Sequence, residues 1–244
     1  MTSPRILALL SVSILFGTAT SPVPQATTQS AGSQAAVAGP TVLGDLRKFL
    51  QHMEVIEVDD GLGNMVTTIR FHGANVQIVS GSGTTDSAVD GTGNLIVGYN
   101  ELRLAPAPND RSGSHNLVVG KEHNFTSFGS FLTGHSNTAS GNFSSVSGGI
   151  NNTASGYFSS VSGGYYNTAS GERSSVSGGN DNRASGTSSS VSGARNSTAS
   201  GNWSSVSGGS NNTASGNRSS VSGGSGRTAA GTNDWRAGSL FEDN

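Results

Sequence analysis

Hydrophobic positions along the 244-residue chain fall into three regimes. An unbroken apolar run covers residues 6–16, behind a single basic residue, Arg5. Next, "TVLGDLRKFLQHMEVIEV" places Leu43, Leu46, Leu50 and Met53 at alternating spacings of three and four, the seam of a short amphipathic helix. Two heptads are too few to stand alone, so this helix either self-associates with help from the segments C-terminal to it or packs on its own chain. Behind it, "EVIEV" and "MVTTIRF" flank "DDGLGN" with alternating residues, which predicts a β-hairpin. "NVQIV" at 75–79 predicts a further strand.

The third regime is periodic. "GNLIVG" at 93–98 returns as "HNLVVG" at 115–120 and as "GSFLTG" at 129–134, with "APAPNDR" looping out between the first two. From there one valine recurs every 15 residues, at Val146, Val161, Val176, Val191, Val206 and Val221. "NTASG"-like units keep the same step from Asn137 to Arg227. Register held over so many copies marks a repeat array rather than a linker. Each unit has two short β-capable pieces, "SSVS" and "NTAS", ended by glycines that supply tight corners. Ser, Asn, Gly and β-branched residues are poor helix formers. The fold class expected is therefore all-β: a parallel β-roll or β-solenoid with turns of 15 residues, preceded by a short helix and a small β segment. Its expected core is Leu95, Val97, Leu117, Val119, Phe131 and the six periodic valines. One valine per turn is a thin core against the entropy of ordering the backbone, which favours several coils packed side by side.

Composition sharpens this picture. Hydrophobic residues make up 32% and charged residues only 11%, with a formal net charge of −2. So little charge argues against charge-driven disorder, and so little apolar content argues against an ordinary globular core. With no cysteine in the chain, a disulfide framework, a thiolate metal site, a catalytic thiol and a lipidated cysteine are excluded. Residues 1–19 read as a secretory signal peptide, with cleavage near Ala19, because an apolar run of this length is too short to span a bilayer. The expected organisation is then a disordered linker at 20–40, a coiled-coil-like helix and strand at 41–58, and a small β segment at 59–90. Solenoid repeats follow at 91–231, with a C-terminal cap or tail at 232–244. No later run is apolar enough for a membrane-spanning segment in the mature chain.

"GNLIVG", "HNLVVG", "SSVSGG" and "NTASG" resemble the YadA-like head repeats of trimeric autotransporter adhesins, where "NSVAIG" alternates with "AxASG". The resemblance covers about residues 91–231 and the short stalk-like helix before them. It implies a left-handed parallel β-roll assembled as a homotrimer, exposed at a bacterial surface and sticking to host or other cell-surface proteins or glycans. Two departures stand out. The second apolar position passes from Val97 and Val119 to Thr133 and then to Gly148, Gly163 and Gly178. No set of alternating ten-residue strands follows to build the family's membrane barrel, so a released or otherwise tethered head is expected.

Candidate chemistry is sparse. His115, His123 and His135 lie in the first turns near Glu101 and Glu122, where polar loop residues are the simpler expectation than a metal site. No Ser/His/Asp set has a matching motif, so no catalysis and no cofactor are expected. The variable corner pairs carry more information: Phe143, Tyr157, Phe158, Tyr165, Tyr166 and Trp203 form a candidate aromatic patch, serving either adhesion or the support of the coil. Thr138/Ser140, Thr153/Ser155, Thr168/Ser170, Thr198/Ser200 and Thr213/Ser215 form a Thr-x-Ser ladder, broken at Arg183 and Ala230, whose flat hydroxyl rows resemble ice-binding solenoids. A passive surface scaffold or spacer is the remaining alternative. Five arginines against Glu172 and Asp181 along the array are too few for nucleic-acid binding.

Overall fold

The computed structural model describes residues 42–238, which divide into two compact units at Ala74 and Asn75. The signal peptide and linker expected at 1–40, and the last residues of the expected tail, lie outside the described residues.

In the first unit, helix α1 (Val42–Leu50) leads into strand β1 (Met53–Asp59), which pairs antiparallel with β2 (Met65–Phe71). The hairpin is the one the alternation predicts. Its turn is held by Asp60, whose carboxylate accepts the backbone N–H groups of Leu62 and Asn64. The helical seam ends a turn earlier than its spacing suggests, because Met53 belongs to β1. Phe49 of the helix meets Phe71 of the hairpin with ring centroids 6.4 Å apart, so α1 packs on its own chain.

The second unit is a parallel β-solenoid of about eight turns. One sheet starts with β3 (Leu95–Val97), β4 (Leu117–Lys121) and β6 (Phe131–His135) and continues through the Ser-Val pairs of every later turn. The other starts with β5 (Asn124–Phe125) and continues through the Thr-Ala pairs. Each strand pairs in parallel with its copy one turn on, as Val161 does with both Val146 and Val176. Residues 75–79 join no ladder, against the strand expected there. The Ser80 N–H instead donates to the His115 imidazole at 3.0 Å.

Four buried columns run the length of the coil. Val118, Leu132 and the six periodic valines form one, and Phe125 followed by an alanine in each turn forms the second. The third holds serines, Ser130 and Ser144 through Ser219. The fourth is mainly asparagine, from Asn137 through Asn152, Asn167 and Asn182 to Asn212, with Ser197 standing in one turn.

The expected core therefore holds for the valines from Val146 on and fails in the early turns. Leu95, Val97 and Phe131 are exposed, and Leu117 and Val119 are only half-buried. The inward residue is the middle one: Leu132 pairs with Val146, and Val118 with Leu132. The cause is a change of turn length. Leu117 pairs with Phe131 and Phe131 with Ser145, a step of 14, whereas later partners are 15 apart. Aligning all turns at 15 slips the early strands by one residue, and a one-residue slip exchanges the two faces of a strand.

The asparagine column does what the thin apolar core cannot. The Asn167 Oδ1 accepts the backbone N–H of Asn182 one turn on, at 3.0 Å. Its Nδ2 donates to the carbonyls of Gly163 and Gly179, at 2.9 and 3.0 Å. Each buried amide thus satisfies backbone groups on its own turn and the next, which would otherwise cost about 1–3 kcal/mol each. Glycine is obligatory where turns touch: a side chain on Gly156 would collide with the Gly171 carbonyl. The N-terminal edge is covered by residues 108–113, since Phe125 N–H donates to Asp110 O and Gly113 N–H to Phe125 O. Covering an edge removes a template for unwanted pairing.

The serine column behaves differently. The Ser159, Ser174, Ser189, Ser204 and Ser219 hydroxyls are buried with no hydrogen-bond partner among the described residues. Asn167→Ala is expected to lower unfolding stability by about 2 kcal/mol or more, since it orphans buried backbone groups. Ser174→Ala should be neutral or stabilise by up to about 1 kcal/mol. Urea denaturation of the two variants checks the contrast.

Candidate functional site

Sequence variability is confined to the two corners of the coil, and the corners have a fixed backbone. After each Thr-Ala strand comes a pair whose second member is left-handed: Phe143, Phe158, Arg173, Ser188, Trp203 and Arg218 all have φ of 54 or 55°. That conformation lets each N–H donate to a carbonyl of the preceding turn, Phe158 to Asn142 and Trp203 to Thr187, for example. Asparagine adopts it readily, as at Asn151, Asn196 and Asn211 on the opposite corner. A bulky side chain there costs about 1–2 kcal/mol. Nothing in the fold requires Phe, Tyr or Trp at these places.

The six aromatic residues expected to form one patch occupy both corners. On the first, Phe143 stacks on Phe158 with centroids 5.3 Å apart and planes 16° from parallel. Tyr157 meets Phe158 edge-on at 4.2 Å. Phe128, which falls before the regular period and carries no corner motif in the sequence, extends the stack: it meets Phe143 edge-on at 5.2 Å. Tyr165 and Tyr166 sit on the other corner, 4.3 Å apart and nearly perpendicular. The hydrogen bond with Tyr166 holds the Tyr165 phenol above its ordinary pKa. Trp203 shares the corner of Phe143 but lies three turns beyond Phe158, with the Arg218 guanidinium 5.3 Å from its ring centroid.

The flat faces between the corners carry hydroxyls. Thr138, Thr153 and Thr168 stack in register on one sheet. Arg183, exposed, then takes the place of threonine before Thr198, Thr213 and Thr228 resume. The Thr-x-Ser ladder is thereby cut into two runs of three. On the other sheet the outward positions next to the valines are Ser145, Ser160, Ser175, Ser190, Ser205 and Ser220, without a charge among them.

The three histidines do not converge. His115 Nδ1 faces the Thr85 carbonyl at 3.2 Å while its Nε2 accepts from Ser80. His135 lies 3.1 Å from the Glu122 carboxylate, which the Ser136 hydroxyl, donating at 2.7 Å, holds below the usual carboxylate range. His123 is fully buried and takes the first place in the asparagine column. Its main-chain N–H donates to Asn100 Oδ1, its Nδ1 accepts from the Asn137 N–H, and its Nε2 faces the Val119 carbonyl. No three of His, Cys, Asp or Glu among the described residues are placed to hold a metal ion. This use of histidine is invisible in the periodicity, because His123 stands 14 residues before Asn137 rather than 15.

Burial, helped by the nearby Arg103 guanidinium, pushes the His123 pKa down. With Nδ1 committed as an acceptor, protonation would set two donors against each other. The unfolded chain takes up this proton near pH 6.5 and the folded chain only at lower pH. His123 thus leaves stability intact at neutral pH and lowers it as pH falls through about 6.5. His123→Asn, which supplies the column's own residue, should flatten that part of the loss. Urea midpoints of both proteins at pH 8 and pH 5 measure it.

In comparisons with known proteins, the chain matches no family model and no curated protein.

Proposed function

We propose that the protein is a secreted or cell-surface, non-catalytic binding protein of the adhesin type, built on a YadA-like head and assembled as a homotrimer on bacterial surfaces. The observation that carries this reading is the contrast between a uniform scaffold and variable corners. Aromatic side chains occupy left-handed positions where asparagine would fit without strain, and they remain exposed, Phe158 at 48% and Trp203 at 56%. Half-exposed rings held at a cost to the fold mark contact points for a partner.

Support for self-association comes from the outward side of the first strands. Leu95, Val97, Leu117, Val119 and Phe131 line one apolar stripe that continues without charge into the outward serines of the same sheet. Such a stripe seeks apolar cover, and small hydroxyl-bearing side chains beside it permit close approach between coils. A passive spacer would need neither the stripe nor the strained rings. The ice-binding alternative is less favoured, because Arg183 interrupts the threonine rows at mid-face.

Two measurements test the reading. Replacing Phe143, Tyr157 and Phe158 together by asparagine should abolish attachment to cell surfaces while the melting temperature stays the same or rises. Retained attachment would count against the aromatic corner. Val97→Asp with Val119→Asp should convert the mature protein from trimer to monomer by light scattering, with circular dichroism preserved. A monomeric wild-type protein would refute the assembly.

A further inference from the structure

The aromatic residues of the first corner differ in what their faces can do. Phe143 and Phe158 lie nearly parallel and cover each other, so they present mostly edges to the outside. Trp203 has no ring partner among the described residues. Arg218 lies over its ring, and the turn on the N-terminal side carries the small pair Thr187 and Ser188. One turn further back stands Arg173, paired with Glu172 through Nη2 at 3.1 Å and well exposed. The column therefore reads Arg173, Ser188, Trp203, Arg218, all left-handed and tied turn to turn through their backbones.

This order of side chains leaves a notch. Turns are spaced by about 4.8 Å, so Arg173 and Trp203 stand about 9.6 Å apart with a small residue between them. A flat ring in van der Waals contact on both faces needs about 7–8 Å. The notch accepts one ring. Its floor is polar: Thr187 and Ser188 bring hydroxyls, and the Asn202 side chain, whose Oδ1 accepts the Thr187 N–H at 3.0 Å, retains its amide donors. An aromatic guest would leave these groups unpaired, whereas a sugar ring stacks its C–H face on tryptophan and answers them with hydroxyls. The Arg173 guanidinium has five N–H donors and gives one nitrogen to Glu172, so donors remain for a carboxylate.

From this geometry we infer that the notch between Arg173 and Trp203, floored by Thr187 and Ser188, binds the ring of a carboxylated sugar in an acidic saccharide. The inference rests on the adhesive reading and deepens it by naming what one corner holds. Trp203 provides the stacking face, Arg173 the charge, and Ser188 the space. Glu172 opposes the guest's carboxylate and moderates its affinity.

The chain has two tryptophans, so Trp235→Phe leaves Trp203 as the sole reporter in the otherwise intact protein. Titrating this protein with a glucuronate-containing tetrasaccharide should shift and saturate the tryptophan emission, while a neutral tetrasaccharide of N-acetylglucosamine should not. In the same background, Arg173→Gln should weaken binding at least tenfold and Glu172→Gln should strengthen it. Ser188→Phe should abolish binding, because it fills the notch with a ring this column already tolerates at Phe143 and Phe158. Unaltered melting curves separate each effect from unfolding. An equal response to the neutral sugar, no response to either, or unchanged binding by Ser188→Phe would overturn the inference. Absent saccharide binding with intact surface attachment sinks the notch alone. Saccharide binding that persists in the Phe143, Tyr157 and Phe158 variant after attachment is lost supports the notch as a separate contact.

Discussion

Everything in the solenoid depends on one buried amide per turn. A coil with a single valine and a single alanine facing each other in every turn has little apolar surface to hide, and its corners carry backbone groups that neither sheet can pair. The Asn152, Asn167 and Asn182 side chains meet this need from inside, each accepting from the next turn and donating to two glycine carbonyls or their equivalents. At Ser197 the arrangement narrows to one hydroxyl, which accepts from Asn212, and the column resumes beyond it. Neighbouring turns are thus coupled through directed hydrogen bonds. Burial of oil contributes less here than in ordinary domains.

That division of labour explains why the sequence looks like a linker and is not one. Stability resides in amide and backbone bonds, so the composition can be nearly free of large apolar residues. Strain and function are displaced to the corners, where the main chain is fixed and the side chain is free to vary. The N-terminal end needs more. There the chain brings Phe125 into the alanine column, His123 into the asparagine column, and Arg103, whose guanidinium donates to the carbonyls of Glu122, Ser136 and Asn137. These larger groups close the end where no earlier turn exists to pair with.

The repeat class, its parallel pairing and the later valines were legible because period and glycine position are stated outright by the residues. The early register was not. In "LIV", "LVV" and "FLT" nearly every position is apolar, so composition cannot say which side faces in, and only the 14-residue step decides. Division of the aromatic residues between opposite corners follows from which strand precedes each pair, a topological fact that spacing alone contains. Phe128 escaped because its turn lacks the double-glycine punctuation of the others, and the service of His123 as an asparagine surrogate has no local signature at all.

Left-handed corner residues with interchangeable side chains have an evolutionary consequence. Because each turn closes on itself in 15 residues and pairs only with its neighbours, gain or loss of one whole repeat slides every later corner along the axis by about 4.8 Å without rotating it. Recombination between repeats can therefore widen, close or duplicate the gap beside Trp203, or lengthen the phenylalanine stack, in a single step that leaves both sheets unbroken. Diversity along such a molecule accumulates by shuffling discrete cassettes rather than by slow point substitution in a packed interior.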